Sequence, residues 1–185
     1  YLGLIYDEAL EGVLFDENGE ASWRVLWNEI PGGMDLSGNI LTFNNSRDAF
    51  GTAMYKLGLD VNTTDRAEWD RAAQELLLQK PLLKGRVQDE IYNMMASGEA
   101  AVSAYYAGDY FTMVDNQADD VDLAFSVPEE GSNWFVDAMC VLKDAPHKEE
   151  AEAWINFISS TEASLANMDY IWYASPNEEA LEQYP

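Results

Sequence analysis

The sequence predicts an α/β protein built on a parallel or mixed sheet. Two observations carry that expectation. Apolar runs of strand length alternate with segments of helical period, and no internal repeat, low-complexity run or Pro/Gly-rich linker interrupts the alternation. The 185 residues are 48% hydrophobic and 12% aromatic, enough for one large domain or two small lobes.

The opening run YLGLIYD reads as an apolar strand entered in mid-fold. Residues 22–29, SWRVLWNE, suit a short helix capped by Ser22, with Trp23, Leu26 and Trp27 on one face. GNILTF (38–43) is a strand. Residues 46–58 follow as a helix capped by Ser46, striped by Phe50, Ala53, Met54 and Leu57 and ended by Gly58. The next helix, over 62–79, starts at Thr64 or Asp65. Glu68 stands three residues after Asp65, the spacing of a capping box, and Trp69, Ala72, Ala73 and Leu76 form the stripe before Pro81. VQDEIYNMMASGE is a further helix that stops at Gly98. AAVSAYY is a strand, GDYFTMVDNQ a helix, and DLAFSV and AMCVL are strands, the last expected to bury Cys140. PHKEEAEAWINFISS is a helix with Pro146 near its first turn and Ala151, Trp154, Ile155 and Ile158 as its stripe; TEASLANMDYI is a second helix.

Ten Lys and Arg against 34 Asp and Glu give a net charge of −24, a field that repels nucleic acid and anionic membrane surfaces and attracts cations. Most of these acids are expected simply to solvate helix faces. No run approaches the roughly 18 apolar residues that cross a membrane. The first residues have neither a basic n-region nor a small-residue cleavage site, and the mid-fold start suggests a fragment of a longer protein. A single cysteine forms no internal disulfide and leaves the redox compartment undecided.

Enzyme chemistry finds little support. His147, the only histidine, falls in the first turn of an amphipathic helix, a solvated position, and no nucleophile–base motif, phosphate loop or metal-ligand spacing occurs. The acidic string Asp115–Asp122 lacks the Gly and closing Glu of a calcium loop and reads as a solvated turn. No catalytic residue, metal or cofactor is assigned.

Three segments instead combine acids or amides with aromatics where strands end. In FNNSRD, Asn45 and Asp48 lie three apart across a helix start, where capping alone would also favour them. In AYYAGD, Tyr105 and Tyr106 end a strand, one facing the core and one outward, and Asp109 opens a helix. In NWFVD, Trp134 and Phe135 stand beside Asp137, either as a buried strand holding one acid or as the wall of a cation site. Ligands of open α/β sheets bind beyond the carboxyl ends of strands, where these segments would converge if they share one cleft.

These three segments, in this order, resemble the polyamine (spermidine/putrescine) binding proteins of bacterial ABC transporters. GLIYD, SWRVLW, the stretch from Gly38 to Asp65, SGEAAVSAYYAGD, PEEGSNWFVDAMCVLKDAPHKEEAEAWINFI and YASPN carry the likeness over most of the chain. RDAFGTAMYKLGLDVNT and EEGSNWFVDAM are its most specific parts. The resemblance implies a type 2 periplasmic-binding-protein-like fold that closes on a linear polycation. It divides the chain into a crossover strand (1–6), a second lobe (7–127), and a crossover with the returning part of the first lobe (128–185). It further implies a periplasmic or extracellular location, ABC permease subunits as partners, and a missing N-terminal part of the first lobe. A fragment of that kind should bind ligand weakly alone and be prone to self-association.

By motif, Asn45 and Asp48 fall where the family places carboxylates that receive a terminal ammonium. Tyr106 falls where an aromatic, often Trp, packs on the methylene chain. Phe135 matches a second aromatic wall, with Trp134 serving if the register differs by one, and Asp137 matches the carboxylate of an internal or distal amine. Asn45 departs from the more usual Asp, and Asp48 is shorter than the usual Glu.

Elementary chemistry agrees with these types. An alkyl amine with a pKa of about 10.4 arrives charged, and enclosing its ammonium requires acceptors in place of water, preferably ionised carboxylates. Methylenes favour apolar contact at about 0.8 kcal/mol each, and aromatic faces add a cation–π attraction of about 0.5–2 kcal/mol. Other readings are a cleft for another small cation or a carbohydrate, an α/β enzyme with Asp48 and Asp137 as acid and base, or an acidic protein-interaction module.

Overall fold

The structure, a computed structural model, describes residues 1–184, which fall into two compact units, Tyr1–Trp134 and a second from Phe135 onward. The first is a five-stranded mixed sheet with helices. Its strands are β1 (Leu2–Asp7), β2 (Ile40–Phe43), β3 (Leu83–Val87), β4 (Val102–Tyr106) and β5 (Leu123–Ser126), in the order β3-β2-β4-β1-β5. β2 runs parallel to both β3 and β4, whereas β1 is antiparallel to β4 and β5. The apolar opening of the chain thus becomes a strand paired on both edges. Leu2, Leu4, Ile5 and Tyr6 are all buried, which explains why the run is continuous rather than alternating.

The helices are α1 (Glu11–Leu14), α2 (Ser46–Lys56), α3 (Arg66–Gln79), α4 (Glu90–Ala96) and α5 (Ala107–Asn116). A 3₁₀ turn over Trp23–Trp27 carries much of the core. Ser22 caps it by accepting from the Arg24 amide, and its tighter winding buries Val25 along with the expected Trp23, Leu26 and Trp27. The acidic turn at Glu129–Gly131 is bound to this element. Glu130 accepts from the Ser22 hydroxyl and from the Trp23 amide, and the Trp23 indole donates to the Gly131 carbonyl at 2.8 Å.

The topology positions a site. From β2 the chain passes through α2 and α3 to β3 on one side, whereas from β4 it passes through α5 to β5 on the other. The chain therefore leaves the adjacent carboxyl ends of β2 and β4 in opposite directions, a topological switch point.

The second unit contains α6 (Lys148–Ile158), α7 (Thr161–Ile171) and α8 (Glu178–Gln183). Ser160 caps α7, and Asn177 caps α8 while its side-chain amide donates to the Ser159 carbonyl at 2.9 Å. Ala151, Ile155 and Ile158 of the expected α6 stripe are half-buried, whereas Trp154 is exposed.

Several expectations need correction. Asn45, not Ser46, caps α2, because its side-chain carbonyl reaches the Asp48 amide at 2.9 Å. Asp65 caps α3 through the Ala67 amide, but Glu68 closes no capping box, since the Asp65 N–H donates to Thr63 Oγ1. Residues 132–142 form no strand, and Cys140 is exposed, not buried. That run is apolar enough for a strand but finds no ladder partner among the described residues, and a strand exists only by pairing. α1, β3 and α8 lie outside the expected elements. In LKGRV two basic residues and Gly85 disguise a parallel edge strand, and Arg86 turns out to be held by the Leu76 carbonyl and Gln79.

Candidate ligand-binding site

Three parallel strands end together in the first unit. Val87 closes β3 opposite Phe43, which closes β2, and the Asn44 amide donates to the Val87 carbonyl at 2.9 Å. Tyr106 closes β4 on the other side of β2. The residues that follow these ends are Asn45, then Asp48 in the first turn of α2, and Gln88.

Their side chains form one hydrogen-bonded ring. Asn45 Nδ2 donates to Asp48 Oδ2 at 2.8 Å and to Gln88 Oε1 at 3.0 Å. Gln88 Nε2 donates to the Tyr106 oxygen at 3.1 Å, and the Tyr106 hydroxyl donates to Asp48 Oδ2 at 2.7 Å. Asp48 is 7% exposed. Two donors converge on its Oδ2, while among the described residues nothing donates to Oδ1 and no basic side chain pairs with the carboxylate. A nearly buried carboxylate held only by neutral donors leaves its charge incompletely compensated, despite help from the α2 N-terminus.

Tyr106 is half-buried, with its ring 5.2 Å from Phe43 and 5.1 Å from Tyr105. Tyr105 lies in the core, as alternation along β4 requires. Burial first, then the hydrogen bond to Asp48 and its charge, push the Tyr106 hydroxyl up to about 12, against the opposing pull of Gln88 and Asn45. The hydroxyl thus stays protonated, a donor, throughout the neutral range.

Asn45, Asp48 and Tyr106 are therefore brought together, though Asn45 has both amide hydrogens and its carbonyl engaged within the protein. Trp134 ends the first unit and is 83% exposed. Phe135, half-buried, and Asp137, exposed, open the second unit. Within that unit Asp137 and Met139 border a cavity of about 390 Å³ with Ile158, Met168, Tyr173 and Asn177. His147 precedes α6 and lies in solvent. Among the described residues no group of three or more His, Cys, Asp and Glu is arranged to hold a metal ion, and no helix is long and apolar enough to cross a membrane. Gln88 escaped the sequence reading because β3 did; the alternation of Leu83, Gly85 and Val87 with Lys84 and Arg86 was the available signal.

Comparison with known proteins agrees with this architecture. The putrescine-binding periplasmic protein PotF of Escherichia coli K12 is 29% identical over 138 residues, covering 72% of this chain and 37% of its own length. The spermidine/putrescine-binding periplasmic protein of the same organism is 28% identical over 169 residues, 91% of this chain and 46% of its own. A solved structure assigned to a spermidine/putrescine ABC transporter of Listeria monocytogenes superposes with a TM-score of 0.83 at 31% identity, over 100% of this chain and 53% of that one. The chain thus spans about half the length, or less, of the relatives it matches, and the α/β fold is that of the periplasmic binding proteins. The model of one family covers residues 3–185, and by it the chain belongs to the bacterial extracellular solute-binding proteins.

Proposed function

We propose that this chain is part of an extracytoplasmic substrate-binding component of an ABC importer, and that its ligand is a polyamine of the putrescine/spermidine class. The observation that carries the reading is Asp48, a nearly buried carboxylate at a switch point with no basic partner among the described residues. An ammonium group supplies the missing charge, and Tyr106, backed by Phe43, offers an apolar face to the adjacent methylenes. The names of the relatives support the same class of ligand. No step in this function needs a nucleophile or a metal.

Asn45, Trp134, Phe135 and Asp137 are proposed as further ligand contacts on the strength of the family motif, with Asn45 acting chiefly through Asp48. Residues 7–127 are proposed to form one lobe and 128–185 to return to the other, with permease subunits as the macromolecular partners. Exposed Trp154, Phe157 and Leu142 make self-association of the isolated chain a further expectation.

Calorimetric titration of the full-length gene product with putrescine, spermidine and simple sugars tests the reading. Saturable heat with either amine is expected. Sugar binding without an amine response would overturn it in favour of a carbohydrate cleft.

A further inference from the structure

We propose that Gln88 is a positioning residue for Asp48: by bridging Asn45 and Tyr106 it holds both donors on Oδ2 and leaves Oδ1 to a primary ammonium. This inference rests on the amine reading above.

The donor and acceptor inventory of the ring permits one polarity. Gln88 Oε1 faces an amide nitrogen of Asn45, so Nε2 is the atom that faces Tyr106. The Tyr106 oxygen accepts that proton and has its own single proton to give, which goes to Asp48. Asn45 uses one Nδ2 hydrogen on Asp48 and the other on Gln88. Replacing the Gln88 amide by an apolar group removes the donor to the Tyr106 oxygen and leaves one Asn45 hydrogen without its acceptor.

The backbone beneath Gln88 is fixed at both ends. Its N–H donates to Glu90 Oε2 at 3.2 Å, and its carbonyl accepts from the Ile91 amide at 3.1 Å, so the side chain projects from the end of β3 on an anchored turn. Gln88 is also neutral, as are Asn45 and Tyr106, so Asp48 carries the only charge of the ring. The arrangement suits one ammonium at this position and offers no second anion to a second one.

The test is a double-mutant cycle on the full-length gene product, comparing wild type, Gln88→Met, Tyr106→Phe and the double variant by calorimetry with putrescine and by thermal melting. Each single substitution should weaken putrescine binding about tenfold. The double should lose well short of the roughly hundredfold of independent effects, because both substitutions act on the Tyr106 proton and only the hold of Gln88 on Asn45 is separate. The Tm of Gln88→Met should stay within about 8 °C of wild type, the shift that the loss of two ordinary hydrogen bonds produces in a domain of this size. Undiminished affinity in Gln88→Met, or an additive double variant, would overturn the proposal.

Gln88→Glu gives an independent reading should Gln88→Met fold poorly. It can still accept from Asn45 but cannot donate to Tyr106, so binding should weaken although a negative charge has been added. Tighter putrescine binding by Gln88→Glu would show that position 88 acts by charge and not by positioning, and so would overturn the proposal. A wild-type protein that binds no amine would overturn the functional reading and this inference together.

Discussion

The Tyr106 hydroxyl donates to Asp48 Oδ2 at 2.7 Å across 58 positions of sequence. One residue ends β4 and the other lies in the first turn of α2, so the bond exists only because β2 and β4 lie side by side and parallel. It joins the one charged member of the ring to its one aromatic member.

Asp48→Asn should abolish most of the amine affinity while sparing the fold. The amide keeps an oxygen for Asn45 and Tyr106 but presents no charge to an ammonium. Losing one partner of a desolvated, hydrogen-bonded charge pair costs about 2–5 kcal/mol. A loss of about 30-fold or more in putrescine affinity is expected by calorimetry, with Tm equal to or above wild type. Unchanged affinity would remove Asp48 from the site.

Alkaline pH should destabilise the protein over a defined window. Burial pushes Tyr6 up to about 12, and burial with the Asp48 hydrogen bond does the same for Tyr106. An unfolded chain releases these protons near the ordinary value of 10, whereas the fold retains them. The stability they contribute is complete below pH 10 and is lost as pH rises through 12. Tyrosinate absorbance and circular dichroism, followed together, should show ionisation of these groups coinciding with unfolding, and Tyr106→Phe should shallow the pH dependence. Full tyrosine ionisation near pH 10 in a folded protein would contradict it.

Glu130→Ala should loosen the acidic turn from the Trp23 element. It removes the acceptor of the Ser22 hydroxyl and of the Trp23 amide, while the bond from the Trp23 indole to Gly131 remains. A part-buried donor left unpaired costs about 1–3 kcal/mol. Urea unfolding should register that loss, and the Trp23 amide should exchange faster with solvent. Wild-type exchange at Trp23 would mean the turn is not held by this carboxylate.

Gly3→Ala should also destabilise. A Cβ there would strike the Phe125 ring and approach the Ser126 carbonyl oxygen to 2.6 Å, because β1 and β5 are packed closely at that point. Overpacking of this kind costs about 1–3 kcal/mol, and a fall in Tm of several degrees is the expected readout.

The acid-and-aromatic pairing of the site was legible because each part is local. FNNSRD shows a strand running into a capped helix, and AYYAGD shows a strand ending in two tyrosines, so Asp48, Asn45 and one of Tyr105 and Tyr106 could be named from their own neighbourhoods, with the family motif choosing Tyr106. Gln88 could not. Its strand is short, basic and interrupted by Gly85, and becomes a strand only against β2. The run 138–142 failed in the opposite sense, having strand composition but no partner among the described residues.

By itself, then, the sequence determined the α/β class, most helices, the Ser22 cap, the anionic charge, and the candidates Asp48 and Tyr106. Tertiary structure alone decided that Gln88 closes the ring and that two donors from distant segments converge on one oxygen of Asp48. Helical period and capping are written within a few residues, whereas strand pairing and a ring of side chains from three strand ends depend on contacts between distant parts of the chain.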